Sequence, residues 1–268
     1  MRRSKSLLRL FALSVSCTAL AFMALPPAAS ADSPFDGTWK LNTAKSDLAG
    51  ETMSFKLSGD GTWKYTDADQ SYTFKADGTP IVTPMGMQRT FKKTGDDTFE
   101  STNTKGGMLL STGTWTLAAD GKTLLIESKG TKPDGESFDN STTYEHTSGG
   151  KGLAGSWKST KVALSAPNAL TLATNGPEVT LTISAIKASC QAKWDGKDYP
   201  ASGPTVSDGL TLALTKTGAK SFKLVVKAKD KVLNIAHYTV AADGKSMVEK
   251  GTDGKGKEPF TEVWEKQS

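Results

Sequence analysis

Cysteine, histidine and arginine are scarce in this chain, and each shortage closes off a class of chemistry. The 268 residues contain two cysteines, Cys17 and Cys190, and two histidines, His146 and His237. Three of the four arginines fall in the first nine positions, which leaves Arg89 as the last one. No His-x-x-x-His or Cys-x-x-Cys spacing is present, so the usual zinc sites are excluded. No Gly-x-Ser-x-Gly elbow occurs, and neither histidine sits in a recognised triad motif. The glycine-rich run at 149–155 lacks the Gly-Lys-Ser/Thr ending of a phosphate loop. Neither an enzyme nor a cofactor is therefore expected, and no metal is assigned.

Long apolar runs are also missing, apart from residues 10–25, which follow Arg2, Arg3, Lys5 and Arg9. A basic start, a short apolar stretch and the small residues Ala29 and Ala31 together read as a secretory signal over residues 1–31, too short for a comfortable membrane span. Two other export routes compete: a twin-arginine signal at Arg2-Arg3 and a lipoprotein site at Cys17. Signal removal takes away four of the 33 Lys+Arg and none of the 28 Asp+Glu, so the remainder carries 29 − 28, or +1. That near-neutral balance predicts no nucleic-acid partner, and the lack of another long apolar run predicts no transmembrane segment in the mature chain. Removal of Cys17 with the signal also leaves Cys190 without a disulfide partner. In phase with Ala192 and Trp194, Cys190 reads as a small buried hydrophobe rather than a reactive thiol.

An internal repeat is the strongest positive feature. Gly37-Thr38-Trp39-Lys40 returns as Gly155-Ser156-Trp157-Lys158, Lys129-Gly130-Thr131 as Lys250-Gly251-Thr252, and Ala119-Asp120-Gly121-Lys122 as Ala242-Asp243-Gly244-Lys245. The matches stay collinear with shifts of 118 to 123 positions, the mark of a duplicated domain. The seam falls in the glycine-rich segment 147–152, giving a first copy over 32–148 and a second over 149–268. Within each copy apolar and polar residues alternate, as in Met53-Phe55-Leu57 and Leu210-Leu212-Leu214, between Asp-Gly or Asn-Gly turns. That pattern predicts an all-β fold of two tandem antiparallel meander β-barrels, since closure removes exposed edges. Two β-sandwiches are the alternative. Residues 43–50 and 163–168 break the alternation and read as loops or single helical turns.

Phe35-Asp36-Gly37-Thr38-Trp39-Lys40-Leu41-Asn42, followed by Lys45-Ser46, resembles the opening of lipocalin-like domains in exported bacterial proteins, and Gly37-x-Trp39 resembles the first-strand motif of lipocalins. The likeness covers nearly the whole mature chain, once per repeat. It implies calycin-type barrels, with Trp39 and Trp157 as structural floor residues. Both last strands depart from the family pattern in having no arginine.

Arg89 is in phase with Met87 and Phe91, so an inward Phe91 carries the arginine inward. A guanidinium there must be paired. It is either a clamp for a ligand carboxylate, or a partner of a barrel carboxylate, or exposed by a bulge. Tyr72, in phase with Phe74, and Tyr144, in phase with Phe138, are candidates to share the first interior; Trp194 and His237 are candidates in the second. His237 has apolar neighbours on both faces, so its direction is open.

Two functions follow as expectations. One is a periplasmic or secreted, non-catalytic binding protein holding a small apolar or amphipathic ligand in a barrel. The other is an envelope protein-interaction or structural module without such a ligand, whose partner is an envelope protein.

Overall fold

Each Asp-Gly pair supplies two things a tight hairpin needs: a side chain that caps the turn and a residue free to take positive φ. Asp60, Asp77, Asp120, Asp195 and Asp243 each accept a hydrogen bond from the backbone N–H two residues on, at 2.8–3.0 Å. The glycine that follows each of these five aspartates, as at Gly78 (φ 89°) and Gly244 (φ 69°), is in the left-handed region.

The computed structural model describes residues 33–67, 70–84, 86–204, 206, 209–228, 231–254, 256 and 259–268. The expected signal, with Arg2-Arg3 and Cys17, lies outside the described residues. Among the described residues, twenty strands form two ten-stranded antiparallel sheets, each nearly closed into a barrel, so barrels rather than sandwiches are observed. This architecture is compatible with a lipocalin-like barrel.

Residues 48–166 form one compact unit, and residues 33–47 with 167–268 form the other. Unit 1 contains β2 (Thr52–Leu57), β3 (Thr62–Thr66), β4 (Ser71–Lys75), β5 (Ile81–Val82), β6 (Gln88–Lys93), β7 (Thr98–Lys105), β8 (Met108–Leu117), β9 (Thr123–Thr131), β10 (Ser137–Ser148) and β11 (Gly155–Ala163), in the order β4-β3-β2-β11-β10-β9-β8-β7-β6-β5. Unit 2 contains β1 (Gly37–Leu41), β12 (Ala169–Asn175), β13 (Glu178–Ile183), β14 (Ala188–Lys193), β15 (Tyr199–Pro200), β16 (Leu210–Gly218), β17 (Ser221–Ala228), β18 (Lys231–Val240), β19 (Ser246–Asp253) and β20 (Phe260–Lys266), in the order β14-β13-β12-β1-β20-β19-β18-β17-β16-β15.

The division therefore differs from the cut expected at 148/149, because each barrel takes its first strand from the other copy of the repeat. Strand β1 lies between β12 and β20, with Trp39 opposite Leu170 and Leu41 opposite Trp264. Strand β11 lies between β10 and β2, with Trp157 opposite His146 and Met53. Side chains fix the exchange. Asp36 accepts from the Thr174 N–H (2.7 Å) and hydroxyl (2.9 Å), while Asn42 and Lys45 both donate to Glu265. Ser159 Oγ accepts from the N–H groups of Gly50 and Glu51. The glycine-rich segment is the hairpin connection between β10 and β11 inside unit 1. The two stretches that broke the alternation contain the chain's passages from one unit to the other, at 47/48 and 166/167.

Both barrels close on side-chain layers. Trp39 and Trp157 are fully buried and donate their indole N–H to the carbonyl four residues earlier, Phe35 (2.8 Å) and Leu153 (3.0 Å). The repeated Lys-Gly-Thr also has a packing reason. Gly130 faces Phe138, and Gly251 faces Phe260, across a ladder, and in each case the ring lies where a Cβ would be. A Cβ on Gly251 would also meet the Ile235 carbonyl, so Gly251→Ala is expected to cost about 1–3 kcal/mol by overpacking, read as a fall in the thermal midpoint.

Candidate functional site

In unit 1, β10 pairs with β11 so that His146 and Trp157 meet, and β8 pairs with β9 so that Leu117 meets Leu124. Trp157, Leu117 and Leu124, with Leu153 and Phe99, make a buried apolar end. The opposite end carries the turns between β3 and β4, β5 and β6, and β7 and β8. Near it lie Tyr65 opposite Tyr72 and Arg89 opposite Asn103.

The structure brings Arg89 and Tyr72 together. Arg89 Nη1 donates to Tyr72 Oη at 2.6 Å, and Nε donates to Asn103 Oδ1 at 2.6 Å. Asn103 in turn donates to Ser111 Oγ at 2.9 Å, which fixes its amide. Tyr72 packs on Tyr65 (4.9 Å between centroids), whose hydroxyl donates to Asp67 at 2.8 Å. Burial pushes the Tyr72 hydroxyl above its ordinary range, and the Arg89 charge pulls it partly back. Tyr65 is held higher, first by burial and then by the Asp67 charge. Arg89 thus spends two donors on neutral acceptors, and no described carboxylate forms an ion pair with it. The space bounded by Arg89, Tyr72, Tyr65, Phe55, Phe91 and Trp115 is about 10 Å³, room for a single water. Tyr144 is half-buried and packs on the same core.

Trp194 and His237 belong to unit 2, so the five candidates do not form one site. Trp194 packs against Phe35 and Phe222 (5.4 Å each), with Lys216 Nζ 5.2 Å from its ring centre. His237 is a correction: it is exposed on the outer face, because Asn234, Ala236, Tyr238 and Val240 take the inner positions of β18. Cys190 is buried, its thiol pushed up to about 11 by burial alone, so it is inert at neutral pH.

Sequence reasoning missed a second polar group of residues, on the inner face of unit 2. Asn234, Glu249, Asp253 and Glu262 are all buried there. The signal was present: Met247-Glu249-Gly251-Asp253 and Phe260-Glu262-Trp264 put acids in phase with core residues. Glu249 lies opposite Tyr238 on one side and Glu262 on the other. Its Oε2 accepts the Trp264 indole N–H at 3.1 Å. Burial, and then the Glu262 charge, hold the Glu249 carboxyl well above its ordinary value.

Among the described residues no group of three or more His, Cys, Asp or Glu is placed to hold a metal ion, and no helix is long and apolar enough to cross a membrane. No protein-family model matches the chain, and a search of curated proteins finds no match either.

Proposed function

We propose that the protein is an exported, non-catalytic binding protein, and that unit 1 takes a small amphipathic molecule by an anionic end at Arg89. The observation that carries this reading is the Arg89 guanidinium, half-buried at an aromatic site and held by Tyr72 and Asn103 without a described carboxylate partner. A guanidinium oriented by neutral groups keeps its charge and its remaining N–H donors for a carboxylate or similar anion. The leader over residues 1–31 supports export.

The small space beneath Arg89 changes where such a ligand lies. Its head meets Arg89 and its body lies at that end of the barrel, since 10 Å³ admits no chain of carbons. The neighbouring hairpins supply apolar surface through Val82 (73% exposed), Leu109 (54%) and Met108 (44%). Binding of a medium-chain fatty acid and of the matching alcohol, measured by calorimetry, tests the reading. The acid is expected to bind roughly 10- to 100-fold more tightly, the worth of one charge-assisted hydrogen bond, and Arg89→Gln to abolish that preference. Equal binding of acid and alcohol, or an unchanged preference in Arg89→Gln, would overturn it.

A further inference from the structure

In unit 2 the ladder of β13 and β14 sets Glu178 opposite Lys193, Val179 opposite Ala192 and Thr180 opposite Gln191. Val179 and Ala192 are buried, so alternation puts Glu178, Thr180, Gln191 and Lys193 together on the face turned away from the core. With Tyr199 of β15 they line a concavity of about 220 Å³ that opens to solvent.

Tyr199 is oriented by the turn that precedes it. Its hydroxyl donates to Asp195 Oδ2 at 3.0 Å, and Asp195 is itself fixed by accepting the Lys197 N–H at 3.0 Å. The half-buried ring is therefore a preorganised wall of the concavity. Glu178 Oε1 lies 4.0 Å from Lys193 Nζ, so the one acid and the one base of the lining offset each other. The exposed Gln191 amide and the Thr180 hydroxyl each offer both a donor and an acceptor. Unit 1 has no such set. The shift of 118 positions that joins Asp77 to Asp195 also joins Thr73 to Gln191, Lys75 to Lys193, and Ile81, which packs on the core, to Tyr199. The ladder partners of Thr73 and Lys75 are Lys64 and Thr62, where unit 2 has Thr180 and Glu178. Ring, amide and carboxylate come together in the second copy alone.

We propose that this concavity binds one neutral hexopyranose ring, either a free sugar or the end unit of a glycan. A pyranose has an apolar C–H face that lies on an aromatic ring, a rim of hydroxyls that both donate and accept, and no charge. The lining answers each of these: Tyr199 supplies the ring, Gln191 and Thr180 the paired donors and acceptors, and Glu178 with Lys193 further polar partners without a net charge. A volume below the about 300 Å³ at which drug-sized ligands begin to fit limits the occupant to one ring. This site is independent of the Arg89 reading, because it lies in the other unit and takes an uncharged ligand.

Amide NMR of the full chain, titrated with glucose, galactose, mannose, N-acetylglucosamine and their methyl glycosides, tests the proposal, with alanine as a zwitterion and glycerol as an acyclic polyol for comparison. At least one of the hexoses is expected to shift the amides of Glu178, Thr180, Gln191, Lys193 and Tyr199 saturably, with a Kd of about 1 mM, while alanine and glycerol leave them in place. Binding of the methyl glycoside as tight as that of the free sugar marks a glycan end as the source, and loss of binding on methylation marks the free sugar; both support the site. Gln191→Ala, at an exposed position where the fold does not depend on the side chain, is expected to weaken binding about 5-fold, and Tyr199→Ala about 10-fold. The absence of a saturable shift with every hexose would overturn the proposal. Shifts as large with alanine or glycerol, or undiminished binding in Gln191→Ala, would overturn it as well.

Discussion

Replacing Trp39 by alanine is expected to unfold the barrel built from residues 167–268 while the barrel of residues 48–166 keeps its protection. In the linear order of the repeat Trp39 heads the first copy, so a barrel made from contiguous copies would respond the other way. The exchanged first strand decides the outcome. Trp39 has no accessible surface, donates its indole N–H to Phe35, and sits on β1 between β12 and β20. Truncating a buried tryptophan costs about 3–5 kcal/mol, a large share of the 5–15 kcal/mol that holds a domain together. Amide exchange should therefore accelerate across β12 to β20 and stay slow across β2 to β10. Trp157→Ala should give the mirror result, since Trp157 fills the floor of unit 1 beside Leu153 and Leu124. Acceleration confined to residues 52–148 in Trp39→Ala would show that the strands are not exchanged in solution.

That exchange marks the limit of what alternation and turn residues encode. They specify which segments are strands and which face is buried: Met53 and Phe55 inward, Asp-Gly at the hairpins, Trp39 and Trp157 at the same depth. They do not specify which copy's first strand enters which barrel. Gly-Thr-Trp-Lys and Gly-Ser-Trp-Lys are chemically near-equivalent, so the choice rests on contacts distant in sequence, such as Asp36 with Thr174, 138 positions apart. The unpatterned stretches 43–50 and 163–168 were the visible trace, because a segment that passes between units has no hairpin partner to alternate against.

Site residues were legible to a similar depth. Arg89 and Tyr72 stood out by phase with Phe91 and Phe74, and they do meet. Asn103, which orients the guanidinium, was hidden among the Ser, Thr and Asn residues of β7 and β8. His237 was unreadable because both faces of β18 are apolar in sequence; the ladder to β17 and β19 sets its direction. The acids of unit 2 did not stand out, since charged residues are rarely buried. Their phase with Met247 and Trp264 was the better guide.

Glu249 makes the stability of unit 2 depend on pH in a direction opposite to that of a salt-bridged acid. Burial and the facing Glu262 raise its folded-state pKa above the ordinary glutamate value of 4.5, so the folded form holds a proton that the unfolded chain releases. Below the unfolded pKa both states are protonated and the carboxyl imposes no electrostatic penalty. As pH climbs above 4.5 the folded state binds more protons, and stability falls by up to about 1.4 kcal/mol per pH unit until the folded group ionises. The groups facing Glu249 are Tyr238 from β18 and Glu262 and Trp264 from β20; the first is a weaker acid still, and the last does not titrate. Glu249→Gln keeps an acceptor for the Trp264 indole and removes the ionisation. The variant is expected to melt near the wild-type temperature at pH 4 and several degrees above it at pH 8, about 4–8 °C for each kcal/mol recovered in a unit of this size. Melts of both proteins across that range in sodium salts decide the matter. A wild-type midpoint that rises from pH 5 to 8, or a variant that retains the full downward slope, would place the ionised carboxylate in the folded state and remove the penalty argued here.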